Sequence, residues 1–357
     1  MKIRNIALLL ALSSGAPACS AIAVDLDATA VTTSSEPGVL AVAHERIEKL
    51  AVDDQRLYWT GSHLRPFDGV NVWFLRSCRK ENCASTLVTY AAEPTNYGSN
   101  FSVSGGQIYW YDQRGLVSCA VAGCNGAARP VAPVFNFVEP AFDDDHVYFS
   151  DFDALYRASL SQPGPRELVA SSPTAIRRIA VVGAYVYLVS ENGALSAMIG
   201  KPQLLRVRKD GSAAVETIAR QVNVSLHYAF GVAADESSIY WTDNLIFGWI
   251  NRCPLAGCPS SWDATGPFRA PQNLLLDDER LYYQYEDAPY EYVLSSCSVP
   301  TCLASAPVQE RLDAPKAFAL DDRYVYVATT EQDVSPATHE ETVARIRRLP
   351  KPDPEQQ

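Results

Sequence analysis

Four clusters of neighbouring carboxylates stand out among the residues able to do chemistry: Asp53-Asp54, Asp143-Asp144-Asp145, Asp277-Asp278 and Asp321-Asp322. Paired carboxylates can divide general-acid and general-base work when their surroundings push their pKa values apart. Each cluster here falls between two apolar runs, where Asp tolerates a left-handed backbone and bonds within its own turn. A turn role is therefore expected. Asp151-Phe152-Asp153 carries part of the spacing of a calcium loop but lacks the Gly and the terminal Glu. The five histidines, His44, His63, His146, His227 and His339, form no HExxH pair. Neither a G-x-S-x-G elbow nor a phosphate-binding loop is present. The sequence assigns no catalytic residue, no metal ligand and no cofactor site, although loops distant in sequence can still build one.

Cysteine is the other reactive type. Eight of the nine cysteines form pairs with four residues between them: Cys78/Cys83, Cys119/Cys124, Cys253/Cys258 and Cys297/Cys302. A short hairpin loop brings its flanking residues opposite each other, within disulfide reach. Zinc is the rival, but it needs four ligands converging on one point, and each pair recurs at the same place in a different structural unit. Disulfides are the expectation, and they imply an oxidising, exported setting.

The N-terminus agrees with export. Met1-Lys2-Ile3-Arg4 precedes the apolar run Ile6 to Leu12, the pattern of a secretory signal peptide, expected over residues 1–18. Ala16-Pro17-Ala18-Cys19 leaves two chemistries open: ordinary cleavage after small residues, or a bacterial lipobox in which Cys19 is lipidated and begins the mature chain. Ala16 stands where the lipobox usually has Leu. Cys19 is also the one cysteine left over from the pairs, which favours lipidation. Residues 19–37 then read as a flexible tether. The formal net charge of −11 excludes a surface that tracks nucleic acid or anionic lipid, so membrane contact is expected only through the lipid.

The elements that must position these residues repeat. An apolar strand, a tight turn and a second strand with an early tyrosine recur seven times, around Tyr58, Tyr109, Tyr148, Tyr187, Tyr240, Tyr282 and Tyr326. Third and usually fourth strands follow, as in Val70–Ser77 and Thr86–Tyr90 of the first copy. Four short strands per roughly 40–45 residues is the arithmetic of a β-propeller blade. The expectation is an all-β, seven-bladed propeller over residues 38–350, with a tail at 351–357. The last copy has strands at Ala317–Leu320, Tyr324–Thr329 and Thr342–Leu349 but no fourth. Val39–Ala43, unassigned before the first copy, is expected to supply it and close the ring.

Tyr240-Trp241-Thr242-Asp243 is a complete YWTD motif, and Tyr58-Trp59-Thr60-Gly61 matches three of its four positions. On those residues the chain resembles the YWTD propeller repeats of the low-density lipoprotein receptor family. The resemblance implies the propeller fold. It departs in count, since those receptor propellers have six blades.

In such a fold the loops between strands two and three share a face with those between units. That face is expected to carry His63, Arg65, Phe67, Tyr97, Phe135, Phe152, Tyr228, Phe247, Trp249 and Tyr290, and clustered exposed aromatics mark interaction surfaces. The expected function is a monomeric, non-enzymatic binding protein of the cell envelope or periplasm, or alternatively a secreted one, recognising a protein, peptide or glycan. The alternative is a hydrolase or lyase with a loop-built site on the propeller axis.

Overall fold

The computed structural model describes residues 31–32, 34–64, 70–93, 100–124, 127–134, 138–161, 164–191, 203–220, 231–243, 248–258, 263–288, 291–299, 302, 305–312, 315–333 and 341–352. These residues form six antiparallel sheets built on one plan. The first holds Arg46–Val52, Arg56–Leu64, Asn71–Arg79 and Val88–Glu93 in chain order. The second holds Phe101–Ser104, Gln107–Asp112, Gly115–Ala120 and Arg129–Ala132. The third is Ala141–Phe142, His146–Asp151, Ala154–Ser159 and Glu167–Ser171, and the fourth is Ala175–Val182, Tyr185–Glu191, Gln203–Arg208 and Glu216–Arg220.

A seven-stranded sheet follows. Val232–Ala234, Ser238–Asp243 and Gly248–Pro254 lead into one long strand, Asp263–Leu276. The first part of that strand pairs with Gly248–Pro254 and its second part with Arg280–Ala288, after which come Glu291–Ser298 and Ser305–Leu312. The last sheet contains Pro315–Leu320, Tyr324–Asp333 and Glu341–Pro350, with Val39–Ala43 antiparallel beside Glu341–Pro350. Val31–Thr32, which the sequence placed in the tether, adds as a short strand outside Val39–Ala43. In the first sheet the fourth strand starts later than Thr86, because Ala84–Thr86 forms a single 3-10 turn behind Cys83.

The core is divided among the gaps between successive sheets. The alternation of a strand, with side chains leaving on opposite faces, explains how. Tyr58 packs with Phe101, Ile108 and Trp110 of the second sheet, whereas the adjacent Trp59 packs with Tyr326, Ala328 and Ile346 of the last. Tyr240 and Trp241 divide in the same way, Tyr240 toward Leu274 and Tyr283, Trp241 toward Tyr187 and Leu204. In both dipeptides the tyrosine faces the following unit and its successor faces the preceding one. Fully burying such a side chain contributes roughly 1.5–3 kcal/mol.

The acidic turns work in these same gaps. Asp321 Oδ1 accepts the backbone N–H groups of Arg323 and Tyr324 at 2.9 and 2.7 Å, and Oδ2 accepts the Tyr326 hydroxyl at 2.6 Å. Lys80 of the first sheet then reaches Asp321 Oδ2 at 2.6 Å, its ammonium 5.1 Å from the Tyr326 ring centre. Lys209 meets Asp143 at 2.8 Å, and Lys351 meets Asp277 at 2.7 Å. In all three cases a lysine just after the third strand of one unit reaches the turn of the preceding one. The turn role expected of these carboxylates holds, with an inter-sheet role added.

A buried ion pair fixes the crossing from Val39–Ala43 into the first sheet. Glu45 is fully buried and accepts Trp59 Nε1 at 2.6 Å and Arg76 Nη1 at 3.0 Å. Arg76 also lies 4.2 Å from the Phe74 ring centre. Burial lowers the Arg76 pKa, and the Glu45 carboxylate opposes that shift.

Burial alone would raise the pKa of Asp143 and Asp321. The lysine, the tyrosine hydroxyl and two backbone N–H groups outweigh it and hold both at about 2. Because the folded values lie below the ordinary 3.8, this stabilisation is complete above that pH and is lost as pH falls through about 2. Urea unfolding of Asp321→Ala at pH 7 should show a loss of about 2 kcal/mol, since Lys80 and the Tyr326 hydroxyl lose a buried partner. Asp322→Ala, whose side chain is 82% exposed, should stay within about 0.5 kcal/mol. Between pH 4 and pH 2 the gap between Asp321→Ala and the parent should narrow.

Candidate functional site

The strands that open each unit converge on a cavity of about 340 Å³. Its wall takes Glu48 to Leu50, Asn100, Glu139 to Ala141, Arg178 and Ile179, Gly231 and Val232, Asn273 to Leu275, and Phe318. Gly231 permits the tight approach of two of these strands, because a Cβ there would sit 2.8 Å from the Leu274 backbone nitrogen.

The lining strands are irregular where they meet the cavity. Pairing of Arg46–Val52 slips between Ile47 and Lys49, and that of Ala175–Val182 slips between Ile176 and Arg178. Pairing of Asp263–Leu276 skips twice between Arg269 and Leu275, and Asn273 takes φ +55°. Bulges re-aim side chains and recur beside functional sites.

Lys49, Glu139 and Arg178 are the charged centre. Lys49 Nζ is ion-paired with Glu139 and donates to the Phe101 carbonyl at 2.8 Å, 5.3 Å from that ring's centre. Burial lowers the Lys49 pKa, Glu139 opposes the shift, and the nearby Arg178 guanidinium adds to it. Arg178 is lowered in turn by burial, again opposed by Glu139. The ion pair is only partly withdrawn from water, since Glu139 stays 46% exposed, and Glu48 brings a second carboxylate to the same wall. Among the described residues no group of three or more His, Cys, Asp and Glu side chains could hold a metal ion.

Of the expected binding face, His63, Phe152 and Trp249 lie in the described residues. Arg65, Phe67, Tyr97, Phe135, Tyr228, Phe247 and Tyr290 fall outside them, as do residues 1–30 with Cys19. Phe152 is 69% exposed on a two-residue turn, with φ +54°. Its carbonyl accepts Ile176 N–H at 2.8 Å, which ties the turn to the next sheet. Trp249 is 39% exposed and leans on Gly266, where a Cβ would come within 3.0 Å of the indole. His63 is half-buried, within Arg56–Leu64 opposite Val72. The structure does not bring these three together with the charged centre. Nothing local in the sequence singled out Lys49, Glu139 or Arg178, which lie in or just before the opening strands of three sheets.

The cysteines are joined in the expected pairs, Cys78–Cys83, Cys119–Cys124, Cys253–Cys258 and Cys297–Cys302, with Cα–Cα separations of 4.7, 5.2, 5.1 and 4.8 Å. Their setting differs from the expected hairpin in one respect. Cys78, Cys119, Cys253 and Cys297 belong to third strands, but Cys83, Cys124, Cys258 and Cys302 all precede the fourth strand and have no ladder partner there. The chain instead folds back on itself just past the third strand. Gly123 N–H bonds to the Ala120 carbonyl, Gly257 N–H to that of Pro254, and Cys302 N–H to that of Ser298. Each disulfide therefore closes a turn at a strand end rather than bridging two strands. Cys83 and Cys302 are buried, the latter at φ +45°, whereas Cys124 and Cys258 are half-buried against the edge of an inter-sheet core. The four bridges point to an oxidising, exported setting. Among the described residues no helix is long and apolar enough to cross a membrane.

No family model and no curated protein matches the sequence. Solved structures do match its shape. The β-propeller domain of the Trilobed protease from Pyrococcus furiosus aligns with TM-score 0.57 and 9% identity, over 87% of this chain and 99% of that one. The fold is that of a β-propeller. A puromycin-hydrolysing peptidase of Mycobacterium tuberculosis aligns with TM-score 0.59 at 12% identity, over 86% of this chain. A prolyl endopeptidase aligns with TM-score 0.57 at 12% identity, over 87%. The propeller chain spans 54% and 51% of those two peptidases.

Glu139→Gln removes the carboxylate that holds the Lys49 pKa up against burial. In the reductively methylated protein, the Lys49 methyl resonance should titrate at lower pH in this variant than in the parent. An unchanged Lys49 titration would mean that the pair does not set its charge.

Proposed function

We propose that this chain is an exported, non-enzymatic binding protein, a seven-bladed propeller that recognises a protein, peptide or glycan through its loop face. Dividing the long sheet at Asp263–Leu276 gives seven four-stranded units, with Val39–Ala43 completing the last and closing the ring. YWTD-like repeats supply the blades, and lipid on Cys19 holds the protein to the cell envelope. The reading rests chiefly on Phe152 and Trp249. Large apolar side chains are left exposed on strand ends and turns of one face, and both are fixed by backbone contacts rather than free to collapse inward. A pre-organised aromatic costs little entropy on binding.

A second reading, a hydrolase or lyase working at the axis, draws on the desolvated Lys49 and its Glu139 partner. Capture from the native envelope fraction separates the two. The parent should retain a partner that the Phe152→Ala, Trp249→Ala double variant retains at least about tenfold less well, with its melting temperature unchanged. Cys19→Ala should move the protein from the detergent phase to the soluble fraction without altering capture. Equal retention by the double variant would overturn the aromatic face, and a soluble parent would overturn the anchor.

A further inference from the structure

We propose that the gap between the second and third sheets binds a small carboxylate-bearing molecule through Tyr109, Ser118 and Arg129. The site is independent of the aromatic loop face, and its support is a comparison of the repeats with one another. Five residues before the marker tyrosine, five of the seven copies carry an aspartate: Asp53, Asp143, Asp235, Asp277 and Asp321. Three of these accept the tyrosine's hydroxyl through Oδ2, Asp53 from Tyr58 at 2.5 Å, Asp143 from Tyr148 at 2.9 Å and Asp321 from Tyr326 at 2.6 Å. The second copy has Ser104 at that place and the fourth has Val182.

The lysine that reaches such an aspartate is missing along with it. Lys80, Lys209 and Lys351 each bond through the backbone N–H to the first turn of their own unit, and Leu160 does the same to Asp145. Leu160 thus holds the lysine's place beside the second sheet, packed on the core that contains Tyr109.

Cross-strand neighbours show the same vacancy. Tyr148, Arg157 and Glu167 stand opposite one another on successive strands, as do Tyr187, Arg206 and Glu216. Both arginines are paired with the glutamate of their row, at 2.8 and 2.9 Å. The fourth unit, which lacks the turn aspartate, therefore supplies a carboxylate from its last strand. In the second sheet the row is Tyr109, Ser118, Arg129. A cation stands where the sister rows have a glutamate, and the row holds no acid.

All three residues line a cavity of about 300 Å³, bounded on the far side by Val147, Ala158 and Leu160, and no Asp or Glu is among its described lining residues. Tyr109 and Ser118 are only 5% and 6% exposed. Among the described residues neither hydroxyl has a hydrogen-bond partner and Arg129 has no ion pair. Polar groups on residues so buried are ordinarily satisfied. Burial raises the Tyr109 pKa and Arg129 opposes the shift; at neutral pH the hydroxyl keeps its proton and can donate it. A carboxylate accepts from both hydroxyls and from the guanidinium, as the sister aspartates accept from their tyrosines. One guanidinium balances one negative charge, which favours a carboxylate over a doubly charged phosphate.

Ligand-observed NMR titration of the whole mature chain tests this with two probe pairs. One is methyl glucuronoside against methyl glucoside; the other is N-acetylglycine against its amide. The acids should bind at least about tenfold more tightly than their neutral counterparts. Tighter binding of the glucuronoside identifies a sugar acid as the source, and tighter binding of N-acetylglycine identifies an amino-acid carboxylate. Ser104→Asp restores the aspartate of the sister copies and should remove the acid preference without lowering the melting temperature. Arg129→Gln, at an exposed position, should remove it as well, whereas Phe152→Ala keeps it, so failure here is distinct from failure of the aromatic face. Equal binding of acids and neutral probes, no saturable acid binding up to about 10 mM, tighter binding of methyl phosphate than of either acid, or a preference surviving Ser104→Asp and Arg129→Gln would overturn the site.

Discussion

A four-stranded sheet with two apolar faces has to cover both, and every other feature of this molecule follows from that constraint. A strand sends alternate side chains to opposite faces, so one dipeptide can serve two neighbours at once. Tyr58-Trp59 and Tyr240-Trp241 do so, each tyrosine packing forward and each tryptophan packing back. A sheet at either end of such a series would leave one face bare. The same kind of core joins Ile47, Leu50 and Trp59 of the first sheet to Tyr326, Ala328 and Ile346 of the last. In the proposed ring, then, no unit is terminal, and the N-terminal strand Val39–Ala43 takes the edge that Glu341–Pro350 would otherwise present to solvent.

Polar groups reinforce the apolar gaps in a graded way. The deeply buried Glu45–Arg76 pair sits where the chain passes from the last sheet into the first. Such a pair adds little net stability over an apolar substitute, yet breaking it is costly. Lys80–Asp321, Lys209–Asp143 and Lys351–Asp277 lie nearer the surface and tie particular neighbours together. Lys80 and Asp321 are 241 residues apart in sequence, so their contact joins the first described sheet to the last.

Much of the fold was legible because repetition amplifies weak local signals. The strands Val39–Ala43 and Tyr324 onward, the acidic turns and the pairing of the cysteines all stand where the pattern put them. Finer geometry was not legible: spacing alone does not say whether Cys124, Cys258 or Cys302 faces its partner across a ladder or from a fold-back turn, as it does. Nor could it show the merging of two units through Asp263–Leu276, since local patterning does not reveal that a strand continues past its own sheet. The charged cluster in the cavity was the least legible part. The carboxylates that drew attention as possible catalytic pairs serve turns and inter-sheet contacts, whereas Lys49, Glu139 and Arg178 carry no motif and are joined only by the convergence of the sheets. Their signal is a departure from regularity, a slip in pairing or a left-handed Asn273, and such departures are visible in three dimensions rather than in residue order.

Val39–Ala43 shares one sheet with Pro315–Leu320, Tyr324–Asp333 and Glu341–Pro350, and that sheet packs on the first. Hydrogen–deuterium exchange measures it directly, amide by amide. The amides of Ala41 and Ala43 should exchange as slowly as those of Ile346 and Ala344 beside them, and all four should be released together, in one opening step, as urea is raised. Exchange at Ala41 and Ala43 as fast as in an exposed loop, with Ile346 still protected, would contradict the account.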